Sequence, residues 1–359
     1  MKLSDNKLWQ EDIDRVLTGL DLSSLVGHKV MVTGCTGLIC SAVVDALIRW
    51  NCTHSEKIRI YAVSRNAESV KTRFRPYNEE QWFGVDRYDA VEPIDGLKPD
   101  CDYIIHGAGN ASPSNIVREP VETMVANIYG LKNLLDYSRK NGTKRLLYIS
   151  SSEVYGRRSG VADDEWADKP FTTNDYGFID ILDPRSSYSS SKRAGETLCV
   201  SYADEYKVDS VIVRPGHVYG PTAKESDNRV SSAWAYAVAR GQDIVMKSGG
   251  AQIRSYCYAA DAVSAILKVL IDGQMSHAYN ISNPDSVISI KELAELMAGA
   301  GGVEIKYDLP NEVDKKGFNP MPNSSLDAKE LMGLGWEGKF DAKEGIEHTI
   351  RILQELIEP

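Results

Sequence analysis

Two residues with complementary acid/base chemistry stand one helical turn apart in the run Tyr188-Ser189-Ser190-Ser191-Lys192. Such spacing brings an ammonium near a phenol, and a neighbouring positive charge lowers a phenol pKa from about 10 toward neutrality. The phenolate then becomes a usable base. Upstream, where a strand should end, Ser150-Ser151-Ser152-Glu153-Val154-Tyr155-Gly156 offers hydroxyls and a carboxylate to a bound molecule. Each piece alone has a plain reading, a solvated lysine on a surface helix or a structural carboxylate at a strand end. In this order, and downstream of a glycine turn, they mark an acid/base site carried by Ser151, Glu153, Tyr188 and Lys192.

The glycine turn is Thr33-Gly34-Cys35-Thr36-Gly37-Leu38-Ile39-Cys40, which follows an apolar run and opens a helical pattern reaching about Trp50. Gly34 and Gly37 let the backbone turn tightly and approach a pyrophosphate, whose charge then sits at a helix N-terminus. Thr36, Leu38 and Ile39 complete that expected cradle. An ordinary strand-to-helix loop would also read this way. Cys40 stands where the third glycine of the fingerprint would be, so the helix should pack slightly less closely on its strand with no phosphate contact removed. At the end of the second strand, Ala62-Val63-Ser64-Arg65-Asn66 lacks the carboxylate that holds a ribose 2'-hydroxyl of NAD. Ser64 and Arg65 suit the 2'-phosphate of NADP instead. The cofactor is NAD or NADP, with NADP favoured.

These groups must be positioned by alternating short apolar runs and longer helical segments, the pattern of a parallel α/β sheet. Candidate strands are Lys29 to Thr33, Lys57 to Val63, Asp102 to His106, Arg145 to Ser150 and Ser210 to Arg214. Their near-continuous apolar character fits strands covered on both faces. Leu8, Ile13, Val16, Leu17 and Leu20 predict an amphipathic helix before them. Beyond Arg214 the rhythm breaks at Tyr219-Gly220-Pro221, Ser248-Gly249-Gly250 and Pro310 to Pro322, and a last helix is expected over about Ala342 to Ile357. The predicted fold is a doubly wound Rossmann sheet with a smaller C-terminal α/β lobe for the substrate. We assign 1–26 to a helical extension, 27–213 to the dinucleotide-binding domain and 214–359 mainly to the substrate lobe, with some segments returning to the first domain.

Composition sets bounds on partners. The 359 residues allow a well-buried core, and 41 basic against 51 acidic residues give a net charge of −10, which does not favour a nucleic-acid partner. The start MKLSDNKLWQEDID has no apolar signal core, and no apolar stretch approaches the roughly 20 residues that span a bilayer. A cytoplasmic protein with no membrane partner is expected. The six cysteines, at 35, 40, 52, 101, 199 and 257, lack paired spacing, and neither they nor the six histidines form CxxC or HExxH patterns. Reduced thiols and no metal are expected.

Over nearly its whole length the chain resembles the extended short-chain dehydrogenase/reductases of the NAD-dependent epimerase/dehydratase family. Further matching pieces are His106-Gly107-Ala108, Asn127 in the following helix, Arg214-Pro215-Gly216-His217-Val218-Tyr219-Gly220-Pro221, and Gly250-Ala251-Gln252-Ile253-Arg254-Ser255-Tyr256 preceding Tyr258 and Asp261. The resemblance implies a retained NAD(P), transient oxidation of a nucleotide-diphosphate sugar to a 4-keto sugar, and a homodimer. By position, Ser151 would bond the sugar 4-oxygen, Tyr188 would be the base, and Lys192 would bind the nicotinamide ribose, with Ala108 and Asn127 on the cofactor side. Ser152 and Glu153 occupy the places where 4,6-dehydratases carry Asp-Glu; without that Asp, dehydration is disfavoured. Ser-Ser-Ser-Glu is closer to the Ser-Thr-Ser-Glu of UDP-glucuronate decarboxylases. Arg229 and Arg254 match basic positions that grip the diphosphate, and His217 replaces a usual Asn beside it. The implied function is a nucleotide-sugar epimerase or decarboxylase. Two alternatives remain open: an NADP-linked reductase of a keto sugar or other carbonyl, and a non-catalytic dinucleotide sensor.

Overall fold

A computed structural model of the chain describes residues 2–92, 94, 100–158, 169–308 and 321–357. Its centre is a seven-stranded parallel sheet of β1 (Lys29–Thr33), β2 (Arg59–Ser64), β3 (Phe83–Arg87), β4 (Tyr103–His106), β5 (Arg145–Ile149), β6 (Ser210–Pro215) and, later in the chain, β10 (Ala278–Ile281). The strand order is β10-β6-β5-β4-β1-β2-β3. This is a Rossmann-type α/β fold, and its order reverses between β1 and β4, where such sheets open a ligand crevice at the strands' carboxyl ends. Two strands exceed the five expected from sequence. β3 is a half-buried edge strand carrying Asp86 and Arg87, and β10 returns from far down the chain to pair with β6. Neither has the apolar run that signals a strand covered on both faces.

The helices are α1 (Lys7–Leu17), α2 (Leu38–Thr53), α3 (Ala67–Arg73), α4 (Pro113–Arg118), α5 (Pro120–Asn141), α6 (Ser187–Tyr206), α7 (Val230–Ala239), α8 (Ala259–Asp272), α9 (Ile290–Gly301), α10 (Lys329–Gly333) and α11 (Ala342–Ile357). On one face of the sheet, α2 is buried along most of its length between the strands and α1 and α8. The apolar side of α1 is inserted there, with Trp9, Ile13 and Val16 buried and the Trp9 indole donating 3.0 Å to Asp45. On the other face α5 and α6 pack side by side over Leu131, Leu134, Leu135 and Cys199.

After β6 the chain adds β7 (His217–Tyr219), β8 (Ile244–Met246), β9 (Ile253–Tyr258), β11 (Val287–Ser289), β12 (Ile305–Tyr307) and β13 (Asn323–Ser324). β9 is the hub of a small sheet, paired with β7, β11 and β13, while β8 pairs β12. A turn follows β7 at Gly220 and Pro221, as expected; most of the Pro310 to Pro322 turn lies outside the described residues. Among the described residues, no helix is long and apolar enough to cross a membrane, and no three His, Cys, Asp or Glu side chains converge as a metal site.

Candidate active site

The glycine turn joins β1 to α2 at the crevice. Gly34 has φ +69°, and a Cβ there would lie 2.9 Å from the backbone of Gly107 and Ala108, so only glycine fits this close crossing. Its N–H donates to the Val63 carbonyl at 3.1 Å, tying the turn to β2. Gly37 caps α2 without a side-chain acceptor, and the first turn of the helix holds no acidic residue. The leading N–H groups and the dipole are therefore turned to an anion, with half-buried Thr36 and Ile39 beside them. At position 40 the looser packing expected of Cys is answered across the gap: a Cβ on Gly107 would lie 2.3 Å from Cys40 Sγ, so the thiol fills the space that a bare residue 107 leaves. Thr33 Oγ1 bridges the two strand ends, 2.8 Å from His106 Nδ1 and accepting from Ala108 N at 3.2 Å. These residues fit a dinucleotide pyrophosphate.

At the end of β2, Ser64 Oγ is turned inward and exchanges 3.2 Å hydrogen bonds with the backbone of Asn66. Arg65 is exposed and forms no ion pair among the described residues. Of the two residues assigned to a 2'-phosphate, Ser64 is already bonded, and only Arg65 has an exposed side chain without a partner among the described residues.

The acid/base group forms where β5 meets α6. Tyr188 lies in the first turn of α6 with its phenol buried, and burial pushes it up to about 12; a hydrogen bond with Ser151 and the charge of Arg229 pull it down, while Glu153 pushes it up. Lys192 is lowered to about 8 by burial, against the charge of Glu196. Its ammonium donates 2.7 Å to the Ile149 carbonyl and stands 5.8 Å from the centre of the Tyr188 ring. The helical spacing thus places the ammonium in the phenol's pocket, but its bond goes to the end of β5, and it is Ser151 that bonds the phenol. Asn127 acts on the same turn from α5: its Nδ2 donates 2.9 Å to Ser191 Oγ, which donates 2.9 Å to the Tyr188 carbonyl. Asn127 Oδ1 is buried with no partner among the described residues.

Ser152 and Glu153 open a short 3-10 turn capped by Ser151, whose Oγ accepts from Glu153 N at 3.2 Å. The Glu153 carboxylate accepts from Ser189 Oγ at 3.2 Å and lies 3.7 Å from Arg185 Nη1. Sequence reasoning passed over Arg185 and Ser189; Asp183-Pro184-Arg185 immediately before the Tyr-Lys run was the available signal. It also passed over Glu196, one turn beyond Lys192, which accepts from Ser150 Oγ at 2.6 Å and holds Arg214 in a buried forked pair, with Nη2 at 2.7 Å. That pair braces the β5 and β6 ends beneath the serines.

The groups assigned to the substrate converge from three segments. Arg254, on β9, is 3% exposed, donates to the carbonyls of Ile253 at 2.8 Å and Met321 at 3.0 Å, and meets no carboxylate among the described residues. His217, on β7, stacks at a tilt on Tyr256 with 5.6 Å between ring centres. Burial, then the charges of Arg254 and Arg229, hold it down at about 4, so the ring is neutral; its Nδ1 has no partner among the described residues. Arg229 reaches the same space but is gripped by Asp227, whose two oxygens each accept from Nε at 3.0 Å. Its charge is thereby largely neutralised, whereas that of Arg254 is not.

Fold and site together define a dinucleotide-binding Rossmann protein of the extended short-chain dehydrogenase/reductase type. The chain belongs to the NAD dependent epimerase/dehydratase family, which matches residues 30–282. UDP-glucuronic acid decarboxylase 6 of Arabidopsis thaliana is 30% identical over 318 residues, 89% of this chain and 86% of that relative. UDP-glucuronic acid decarboxylase 1 of Xenopus tropicalis is 26% identical over 344 residues, 94% of this chain and 75% of the relative. Among solved structures, UDP-glucose 4-epimerase of Thermotoga maritima with UDP-glucose superposes with a TM-score of 0.73 at 24% identity, covering 92% of this chain and all of that one.

Proposed function

We propose that the protein converts a nucleotide-diphosphate sugar through a transient 4-keto intermediate with a retained NAD(P), and that decarboxylation of a UDP-glucuronate-type substrate is the favoured outcome over epimerisation. The observation that carries this is the juxtaposition of Ser151, Tyr188 and Glu153 with the buried Arg254, which meets no carboxylate among the described residues. A guanidinium held out of water without a counter-charge calls for an anionic ligand, and a forked donor suits a diphosphate or carboxylate.

In this reading Tyr188 takes the proton of the sugar 4-hydroxyl while Ser151 holds the 4-oxygen. When bound, the dinucleotide supplies the hydride acceptor and later the returning hydride. With a ketone at C4 and a carboxylate on C5, the electrons of the C5–C6 bond move into an enolate on the 4-oxygen as carbon dioxide leaves. Ser151 and a protonated Tyr188 stabilise that enolate by hydrogen bonding. A proton taken up from solvent then replaces the lost carboxylate at C5, and Tyr188 gives its proton back to the 4-oxygen as the ketone is reduced to the alcohol. With Ser152 where a dehydratase needs an acid, loss of the 6-hydroxyl has no proton donor.

Arg65, exposed at the end of β2 and without an ion pair among the described residues, supports a second reading, an NADP-linked reductase of a keto sugar. Intact Ser151, Tyr188 and Lys192 argue against a non-catalytic sensor. Val121, Met124, Val125 and Tyr129 of α5 and Val200 of α6 leave apolar surface exposed on adjoining helices, which supports a homodimer through them. The test is incubation with a panel of sugar nucleotides in heavy water followed by mass spectrometry. Loss of carbon dioxide from UDP-glucuronate without net cofactor consumption is expected. A dehydrated 4-keto product, or stoichiometric NADPH consumption, would replace this reading.

A further inference from the structure

The dinucleotide turn carries no cation of its own: Thr33 to Ser41 contains no basic residue. Backbone N–H groups and a helix dipole favour an anion but leave a doubly charged pyrophosphate only partly neutralised. A cation reaches the turn from the other side of the cleft. Lys224 Nζ lies 3.4 Å from Thr36 Oγ1, and its charge acts on the Cys35 thiol inside the turn. No carboxylate pairs with Lys224 among the described residues, whereas Arg73, the other cation acting on Cys35, is held by Asp45 at 2.5 Å.

The segment bearing Lys224 is fastened in place. Thr222 is buried and its Oγ1 donates 2.8 Å to the Leu38 carbonyl in the first turn of α2. The Ala223 carbonyl accepts from Tyr236 of α7 at 2.8 Å. A few residues on, Asp227 grips Arg229, and Asn228 Oδ1 accepts from Ser112 Oγ at 3.2 Å. This strap runs from the dinucleotide turn to the substrate end. Lys224 reaches the former through its contact with Thr36.

We propose that Lys224 is a cofactor-retaining residue, its ammonium closing over the pyrophosphate of the bound dinucleotide from the strap Thr222 anchors. The inference rests on the dinucleotide reading of the turn and adds the group that keeps the cofactor in place between the two hydride transfers. Because the segment bearing Lys224 is already fastened, no loop has to be ordered when the ligand arrives, and the contribution appears chiefly as slower cofactor release.

The test compares the parent with Lys224→Gln and Lys224→Arg. Dinucleotide released on heat denaturation is quantified per protomer, and dissociation constants are measured by calorimetry on stripped protein for the better-bound dinucleotide, ADP-ribose and adenosine. Lys224→Gln should weaken the dinucleotide and ADP-ribose about tenfold, the low end for an exposed charge-assisted bond, with adenosine unchanged. Lys224→Arg should recover most of the loss, and high salt should narrow the gap. Equal affinity for ADP-ribose in parent and Lys224→Gln would overturn the proposal while leaving the dinucleotide reading intact. A parent that binds neither NAD nor NADP would overturn that reading, and this proposal with it.

Discussion

The two ends of the cleft offer different kinds of group to an anion. At the dinucleotide end the ligand-facing groups are mostly backbone, drawn from one uninterrupted run between β1 and α2, with glycine at the crossing where a side chain would strike residues 107 and 108. At the substrate end the groups are side chains from β7, a loop and β9, brought together because His217 sits in register with Tyr256. Charge is also handled differently: the glycine turn is uncharged, whereas Arg254 is buried and its pKa lowered by that burial. An end built from backbone tolerates substitution where no Cβ intrudes. One built from buried charge depends on single side chains.

The sharpest break between binding and chemistry comes at Tyr188. Tyr188→Phe should lower turnover by about 100- to 10,000-fold, the usual contribution of a general acid/base group, with dinucleotide content and melting temperature close to the parent. Activity within a few-fold of the parent would remove Tyr188 from the mechanism.

Next in size, Arg254→Ala should reduce kcat/KM for the sugar nucleotide by roughly 10- to 150-fold, as expected for lost charge-assisted hydrogen bonds. Co-purifying dinucleotide should stay at the parent level. Loss of both together would mean that the two ends are not independent.

His217 tests electrostatics at the same end. Its folded pKa of about 4 lies below the ordinary 6.5, so between those values the unfolded chain binds the extra proton. Its share of stability is complete above pH 6.5 and is lost as pH falls toward about 4. His217→Asn should therefore lose less stability than the parent between pH 7 and 4.5, by about 1 to 2 kcal/mol after discounting for its partial exposure. Thermal melts at the two pH values measure this; parallel losses would show that His217 does not sense burial as described.

The smallest expected effect lies at the dinucleotide end. Arg65→Ala should weaken NADP by about three- to tenfold and leave NAD unchanged, because an exposed arginine makes a screened contact with a 2'-phosphate. Equal losses for both cofactors, or a parent that prefers NAD, would make Arg65 a bystander. Ser64 is not expected to share this role, since its hydroxyl is already bonded to Asn66.

Sequence alone determined what is local in the chain. The glycine turn, the serine run before Glu153, the one-turn Tyr188 and Lys192 spacing and the core strands of the sheet are all short-range patterns, and backbone sterics and helical periodicity act at that range. The closing helix was legible for the same reason, and it spans Ala342–Ile357. Tertiary structure decided whatever depends on which distant groups meet. It brought β10 back beside β6 and made β3 an edge strand despite its polar residues. It left Arg254 without a carboxylate among the described residues, turned the Lys192 ammonium to Ile149, and set Lys224 beside Thr36, 188 residues upstream. The physical reason is that a charge's role is set by its burial and its partner, and neither is encoded by spacing along one strand or helix.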